Sequence, residues 1–226
     1  MSHPLTASNL SFSHAGSDKM LFKGINLDIR KGEALLLRGP NGSGKTSLCY
    51  CLCGIIPLLK TGRLEGEVWI NGISTREIKV PDLSRHIGIV LQNTNAQLFL
   101  PTVEDEIAFG PENFALPREE IARRVNSCLE LLAIENLRLM HPEDLSGGEK
   151  QLVALASVLS LDPGIIILDE AVSCLDAEAK SLVKDLLLKL KNEGKTLILA
   201  DHGSHFLDIA DSIKFLDEGC LSDRVY

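Results

Sequence analysis

The stretch "GPNGSGKT" at residues 39–46 decides the fold that this sequence predicts. It follows the apolar run "EALLLRG", which is typical of a buried strand, and it precedes a helical segment that begins near Lys45. Its pattern is that of a P-loop, in which glycines let successive backbone N–H groups turn inward around phosphates. We expect Lys45 to supply positive charge for the β- and γ-phosphate oxygens, and the Thr46 hydroxyl to be a ligand for Mg²⁺. The sequence therefore predicts binding of ATP or GTP. The predicted nucleotide-binding residues of this loop are Gly39, Pro40, Asn41, Gly42, Ser43, Gly44, Lys45, Thr46 and Ser47.

A second pattern, "IIILDE" at 165–170, supplies acids at the end of an apolar run. Asp169 at the tip of a buried strand is expected to hold Mg²⁺ through water, and Glu170 is placed to act as a general base on an attacking water. Strands also end in acids for no chemical reason, but the P-loop favours the functional interpretation. An acid directly after the Mg²⁺ aspartate predicts hydrolysis.

The order of elements predicts one α/β domain over residues 1–226, with a core at 1–92 and 161–226 and a helical subdomain at about 93–160. Short strands separated by turns dominate the first ninety residues, and Asn71-Gly72 is typical of a hairpin turn. Thr102 is predicted to cap a helix. A later helix is expected to present Leu182, Leu186 and Leu190 on one side.

Bulk properties exclude several classes of protein. The chain has 226 residues and a net charge of −8, which argues against wholesale binding to a nucleic-acid backbone. No apolar run reaches the length of a membrane span, and the N-terminus lacks the regions of a signal peptide, so we expect a soluble, intracellular chain. Three of the six cysteines fall in "CYCLC" at 49–53, but no CxxC pair is present. Free, mostly buried thiols are favoured over a metal site.

A second glycine-rich loop, "LSGGEKQ" at 145–151, raises the question of why one chain carries two phosphate-binding loops. Ser146, Gly147 and Gly148 stand before an apolar helical run, which is a common setting for an anion at a helix start. Alternatively, the two glycines simply begin a core helix.

The four motifs "GPNGSGKT", "LSGGEKQ", "IIILDE" and "SCLD", in this order, resemble those of the nucleotide-binding subunits of ATP-binding cassette (ABC) transporters. The resemblance spans nearly the whole chain. It implies an α/β fold: a P-loop NTPase (RecA-like) core, an N-terminal antiparallel β-subdomain and an inserted α-helical subdomain. It also implies a head-to-tail dimer, in which the signature residues of one subunit contact the ATP held by the other. Those signature residues are Ser146, Gly147, Gly148 and Glu149.

The resemblance carries further roles to single positions. Gln92 matches the glutamine that reaches Mg²⁺ and the attacking water, and His202 matches the switch histidine, for which His205 is a second candidate. His14 falls where the family usually has a tyrosine stacked on adenine, with Phe12 as the alternative. Ser173 and Asp176 match the loop that crosses the dimer interface. With these additions the predicted catalytic residues are Glu170, His202, Gln92 and Lys45, and the predicted Mg²⁺ ligands are Thr46, Gln92 and Asp169.

Three positions depart from the family pattern. Ala171-Val172 replaces Pro-Thr, Leu152 replaces a common arginine, and Gly203 replaces the aspartate after the switch histidine. None of these changes removes a group expected to contact phosphate or Mg²⁺, so we still expect hydrolysis.

Residues 91–113 resemble the energy-coupling-factor and cobalt-type importer ATPases, which power uptake of vitamins or of cobalt and nickel ions. This implies transmembrane partners docking on the 93–113 region, a peripheral position on the inner face of the cell membrane, and a homodimer or a heterodimer with a second ABC ATPase. The plausible groove lining is Leu98, Phe99, Leu100 and Phe109, although each residue could equally belong to the core. The alternatives are a soluble ABC ATPase of DNA repair or translation, and a P-loop kinase; the latter gives no reason for "LSGGEKQ".

Overall fold

The computed structural model describes residues 3–203 and 205–223, and within these ranges the chain forms ten strands and seven α-helices. The strands are β1 (Leu5–His14), β2 (Phe22–Ile29), β3 (Ala34–Arg38), β4 (Gly62–Ile70), β5 (Ile73–Ser74), β6 (Ile87–Val90), β7 (Ile165–Asp169), β8 (Thr196–Ala200), β9 (Ser212–Asp217) and β10 (Cys220–Ser222). The helices are α1 (Lys45–Leu52), α2 (Ile55–Leu58), α3 (Val80–Leu83), α4 (Val103–Asn113), α5 (Arg118–Leu131), α6 (Gly147–Leu159) and α7 (Ala177–Asn192).

Two sheets organise these elements. The first is antiparallel, with strand order β2-β1-β4-β5, and the predicted turn at Asn71-Gly72 joins its last two strands, with Ile70 paired to Ile73. The second has the order β10-β9-β3-β8-β7-β6, and its strands from β9 to β6 run parallel. Because the carboxyl ends of parallel strands meet at one edge, the loops after β3, β6, β7 and β8 are brought together there.

The strands β3, β7 and β8 separate two hydrophobic cores. Alternate residues point to opposite faces of a strand. Leu35 and Leu37 pack with helix α1 and the antiparallel sheet, whereas Leu36 packs with the core formed by helices α4 to α7. Burial on both faces explains why these strands read as continuous apolar runs.

Residues 93–160, all of which the structure describes, hold α4, α5 and α6 and no strand, in agreement with the expected helical character. The Thr102 side chain accepts a hydrogen bond from the Asp105 backbone N–H, so the predicted cap of α4 is present. The matched solved structures described below confirm the expected fold class of an α/β cassette with an antiparallel sheet and a helical part.

The inner face of α7 differs from the predicted one. Val183 and Leu187 are its most deeply buried side chains, and Leu186 is also buried, whereas Leu182 and Leu190 are only partly covered. The spacing of the leucines alone predicts a face rotated toward solvent, whereas the buried face also includes the β-branched Val183. The correct face is centred between Val183 and Leu187.

Candidate active site

The P-loop lies between the carboxyl end of β3 and the start of α1. Gly39 adopts a φ of 154°, and a Cβ atom there would lie 2.2 Å from the carbonyl oxygen of Leu216, so a side chain cannot be accommodated. Helix α1 begins at Lys45 without a side-chain cap at Gly44. Its first N–H groups are therefore left to other partners, which suits them to bind an anion.

Lys45 is buried beneath this loop. Its Nζ donates hydrogen bonds to the carbonyls of Gly39 and Pro40, at 3.0 and 3.2 Å, and lies 3.3 Å from Glu170 Oε1. The carboxylate and the ammonium group are thus held together at the edge of the sheet where the P-loop and β7 end.

Three other predicted site residues lie beside the carboxylate of Glu170. Gln92 Nε2 donates to Glu170 Oε2 at 3.0 Å, Lys45 lies beside Oε1, and His202 Nδ1 lies 3.8 Å from the same oxygen. Glu170 has a φ of 52°, a left-handed conformation that is uncommon for a residue with a long side chain. Such strain clusters at functional positions, and Glu170 lines the same cleft as the P-loop.

Asp169 stands directly before it at the end of β7. The Thr46 hydroxyl donates to Asp169 Oδ1 at 3.1 Å, while Oδ2 is buried and has no hydrogen-bond partner among the described residues. Burial raises the pKa of Asp169, and the Thr46 hydrogen bond acts in the opposite direction.

A cleft of about 450 Å³ joins these groups to the antiparallel sheet. His14, at the end of β1, lines this cleft together with the P-loop, Gln92 and Glu170. The Phe12 side chain is fully buried between the two sheets, and its ring meets that of His14 edge-on at 5.0 Å. The structure therefore excludes Phe12, the alternative base contact, and leaves His14 facing the cleft.

The second glycine-rich loop is built differently. Ser146 caps α6 in a capping box: its hydroxyl accepts from the Glu149 N–H at 3.3 Å, and Glu149 Oε2 accepts from the Ser146 N–H at 2.8 Å. Hydrogen bonds from Ser146, first from its side chain and then from its backbone N–H, lower the pKa of the Glu149 carboxyl. A Cβ atom on Gly148 would lie 3.3 Å from the Cys174 carbonyl, but one on Gly147 would meet nothing within 4 Å. Local packing thus gives no reason for a glycine at position 147.

The "SCLD" loop connects Glu170 to helix α7. The Ser173 hydroxyl donates to the Glu170 carbonyl at 3.0 Å, and Asp176 caps α7 by accepting from the Ala179 N–H at 2.8 Å. Both residues are exposed. Their contacts fix the loop that carries Glu170 into the site.

His205 lies apart from Glu170 and pairs with buried Asp201, with 3.2 Å between Nδ1 and Oδ2. Gly203 makes room for this contact, because a Cβ atom there would lie 2.7 Å from His205 Nδ1. The other departures from the family pattern, Leu152, Ala171 and Val172, are buried apolar residues of the core.

Sequence reasoning missed two buried polar side chains, Glu106 and Gln151, and it gave no structural role to Gln97, which is half-buried and belongs to the resemblance of residues 91–113. Gln97 and Gln151 bond the backbone beside Gln92, and Glu106 accepts from the N–H groups of Phe99 and Leu100. Glu106 could have been found from its position, because the spacing of Val103, Glu106 and Ile107 places an acid on the apolar face of α4.

Comparisons with known proteins identify the family of this chain. Residues 22–173 match the family model described as "ABC transporter". A Pyrococcus abyssi protein named as an ABC transporter ATP-binding protein is 42% identical over 213 residues, which cover 93% of this chain and 76% of that protein. A Methanosarcina mazei protein with the same kind of name is 41% identical, and the match covers 93% of this chain but 36% of the longer relative.

Two solved structures share the fold over nearly the whole chain. The cbiO1 protein of Clostridium perfringens, described as part of the ABC transporter complex cbiONQ, has a TM-score of 0.82 at 30% identity, covering 99% of this chain and 89% of that one. The cassette MJ0796, solved as a dimer in a post-hydrolysis state with ADP and Pi, has a TM-score of 0.85 at 27% identity, covering 98% of this chain and 100% of that one.

The chain belongs to the ABC transporter family and is an ATP-hydrolysing subunit of a transporter. The resemblance seen in the four motifs is therefore confirmed. Among the described residues, no helix is both long and apolar enough to cross a membrane.

Proposed function

We propose that this subunit powers an importer: it hydrolyses ATP in a head-to-tail dimer and drives uptake of a small solute, a vitamin or a transition-metal ion, through separate transmembrane partners. The likeness to cbiO1, described as part of a transporter complex, supports the importer class. The second cassette is either another copy of this chain or a similar ATPase. The subunit would sit in the cytoplasm, on the inner face of the cell membrane.

The first half of the site binds the nucleotide. Residues 39–47 surround the phosphates with backbone N–H groups, and the imidazole of His14 stacks on the base at the far end of the cleft. When a phosphate oxygen enters, the Lys45 ammonium exchanges its carbonyl and carboxylate partners for that oxygen, which frees the Glu170 carboxylate.

Glu170 then accepts a proton from the attacking water, with Gln92 and His202 orienting the water and the γ-phosphate. The residues present fit Mg²⁺, because Thr46, Gln92 and Asp169 offer oxygen ligands and Asp169 Oδ2 is buried without a partner among the described residues. A bound cation would neutralise the phosphate charge and favour the ionised form of Asp169 against the effect of burial.

The proposed dimer is supported mainly by the separation of the two glycine-rich loops within one chain. Residues 146–149 are not among the described residues that line the P-loop cleft, and Gly147 faces open space. The Ser146 hydroxyl lies at the exposed start of α6, where it caps the helix. We assign this hydroxyl, with the N–H groups of Gly147 and Gly148, to the γ-phosphate held by the partner's P-loop, with Ser173 and Asp176 beside it at the interface.

The segment that would receive the transmembrane partner is exposed. The rings of Phe99 and Phe109 meet edge-on at 5.2 Å, yet their exposed fractions are 67% and 43%. Leu98 and Leu100 flank this pair and are partly buried. An exposed aromatic pair beside an apolar flank is typical of an interaction site.

Complementation between two inactive variants tests the dimer. Lys45→Ala disables the P-loop and Ser146→Arg disables the signature loop, so each variant alone should lose ATP turnover. A mixed dimer contains one intact composite site, so an equal mixture is expected to recover about a quarter of the wild-type rate. Wild-type turnover that is independent of dilution, together with a mixture that stays inactive, would contradict the shared site.

Transport direction needs a separate measurement. The chain is reconstituted with its transmembrane subunits in proteoliposomes, oriented with the cassette facing the medium, where ATP is added. An importer should then move a labelled vitamin, cobalt or nickel out of the lumen toward the ATP-containing side. ATP-driven accumulation of the solute in the lumen would contradict the importer class and leave the dimer model intact.

A further inference from the structure

The amide side chain of Gln97 continues the sheet beyond its edge strand. Strand β6 is the last strand of the parallel sheet, and β7 is its neighbour. Gln97 Oε1 accepts from the Leu91 N–H at 3.0 Å, and Gln97 Nε2 donates to the Ile89 carbonyl at 3.4 Å. One side-chain amide thus pairs with the N–H and the C=O of residues two apart, as the backbone of a seventh strand would.

A second glutamine holds the same peptide segment from another direction. Gln151, buried on α6, donates from Nε2 to the Leu91 carbonyl at 3.3 Å. The N–H and the C=O of Leu91 are therefore both fixed by side-chain amides. The next residue is Gln92, whose own amide reaches Glu170 at 3.0 Å. The orientation of Gln92 depends on a backbone segment that has a strand neighbour on one side and Gln97 on the other.

The same segment is tied to the exposed aromatic pair. The buried carboxylate of Glu106 accepts from the N–H of Phe99 and from the N–H of Leu100, the latter at 2.5 Å. Glu106 lies on α4 almost one turn before Phe109, whose ring contacts that of Phe99. The pair Phe99–Phe109 and residues 97–100 are thus held as one unit on α4, and Gln97 is the side chain that joins this unit to β6.

We propose that Gln97 is a positioning residue for ATP hydrolysis: it fixes the Leu91 peptide, and so the approach of Gln92 to Glu170, according to where the Phe99–Phe109 unit lies. Gln151 supports the other side of that peptide. This inference depends on the role proposed above for Gln92 at Glu170, and it adds the link between the docking segment and the reacting groups. Gln97 contacts no nucleotide itself and acts through Gln92.

A double-mutant cycle on the full chain tests the link. Steady-state ATP turnover is measured in the presence of Mg²⁺ for the wild type, Gln97→Ala, Gln92→Ala and the double variant. Small misplacements of a positioned group reduce rates strongly, so Gln97→Ala should lower kcat about tenfold or more while the KM for ATP stays within about twofold. Because Gln97 acts through Gln92, the double variant should have the kcat of Gln92→Ala alone.

Two further variants separate positioning from folding. Gln97→Glu keeps the acceptor for the Leu91 N–H and loses the donor to Ile89, so its kcat should fall between those of the wild type and Gln97→Ala. Asn192→Ala, an exposed amide at the end of α7, should match the wild type. Urea unfolding midpoints that stay close to the wild-type value for both Gln97 variants would exclude a merely structural effect.

The outcomes are distinguishable. Independent, multiplicative losses in the double variant would overturn the role of Gln97 while leaving that of Gln92 in place. Full turnover by Gln92→Ala would instead contradict the role of Gln92 in the proposed function. A rise in KM with unchanged kcat for Gln97→Ala would show that Gln97 serves nucleotide binding and would also overturn the inference.

Discussion

The two glycine-rich loops begin helices in opposite ways. At 39–46 the helix start has no side-chain cap, and its glycines adopt conformations that a side chain would not allow. At 145–149 the helix start is closed by a reciprocal capping box, and Gly147 has neither an unusual φ nor a neighbour that excludes a side chain. The first loop therefore leaves its N–H groups open toward its own chain's cleft, as the proposed phosphate site requires. The second loop has its helix start capped and Gly147 facing open space, as the proposed contact with a partner subunit requires.

Glu170→Gln should have the largest effect, because it leaves both loops intact and removes the base that acts on their shared nucleotide. Turnover is expected to fall by about 10²- to 10⁴-fold with ATP affinity retained. Size-exclusion chromatography in saturating ATP should show a trapped dimer. A variant that stays monomeric under those conditions would contradict either the role of Glu170 or the dimer.

Gly39→Ala tests the first loop as an intrachain structure. Its Cβ would lie 2.2 Å from the Leu216 carbonyl, and both positions directly follow the last residue pair of the β3–β9 ladder, Arg38 and Phe215. We expect the free energy of unfolding to fall by about 3 kcal/mol or more. Urea denaturation measures this, and an unchanged midpoint would show that the loop relaxes freely.

Gly147→Ala is the matched change in the second loop. Alanine is favoured over glycine in a helix, so the free energy of unfolding should rise by about 0.5 kcal/mol. The added methyl group stands where the partner's phosphate is expected, so turnover should fall about tenfold, which corresponds to about 1.4 kcal/mol. Nucleotide affinity of the monomer, measured by fluorescence titration, should not change. A loss of that affinity would place the second loop in its own chain's site.

Glu149→Ala should have the smallest effect, since it removes one half of an exposed capping box and lowers stability by about 0.5–1 kcal/mol. The pKa of Glu149 is lowered in the folded chain. The ionised Glu149 carboxylate therefore adds to the free energy of unfolding at pH values above its pKa in the unfolded chain, ~4.3. This stabilisation is lost as the pH falls through the pKa of Glu149 in the folded chain. Glu149→Gln retains the box, so its stability difference from the wild type should shrink as the medium is acidified. Unfolding midpoints between pH 3 and 7 check this sign.

The sequence alone predicts the structure correctly wherever a local residue pattern determines the local backbone conformation. The P-loop, the Thr102 cap and the Asn71-Gly72 turn each depend on residues adjacent in the chain, and all three are present at the predicted positions. The buried strand that ends in Asp169 was equally predictable, because parallel strands covered on both faces must be apolar throughout.

The long-range contacts were not predictable in this way. Gln97 belongs to the stretch that resembles importer ATPases and Gln151 looks like an ordinary polar residue, but the hydrogen bonds of both form only because the sheet order places β6 at an edge and α6 behind it. The left-handed conformation of Glu170 also has no sequence signal, since it results from the way the loop after β7 is held by Ala200 and Ser173.

The backbone at Glu170 has a consequence for heat resistance. A left-handed conformation costs a residue with a side chain about 1–2 kcal/mol, and glycine or asparagine adopts it more readily. Replacing Glu170 by Gly or Asn would relieve that cost but leave the buried Lys45 ammonium without its carboxylate partner, which is the larger loss. A library of this chain screened only for survival on heating should therefore keep the strained glutamate.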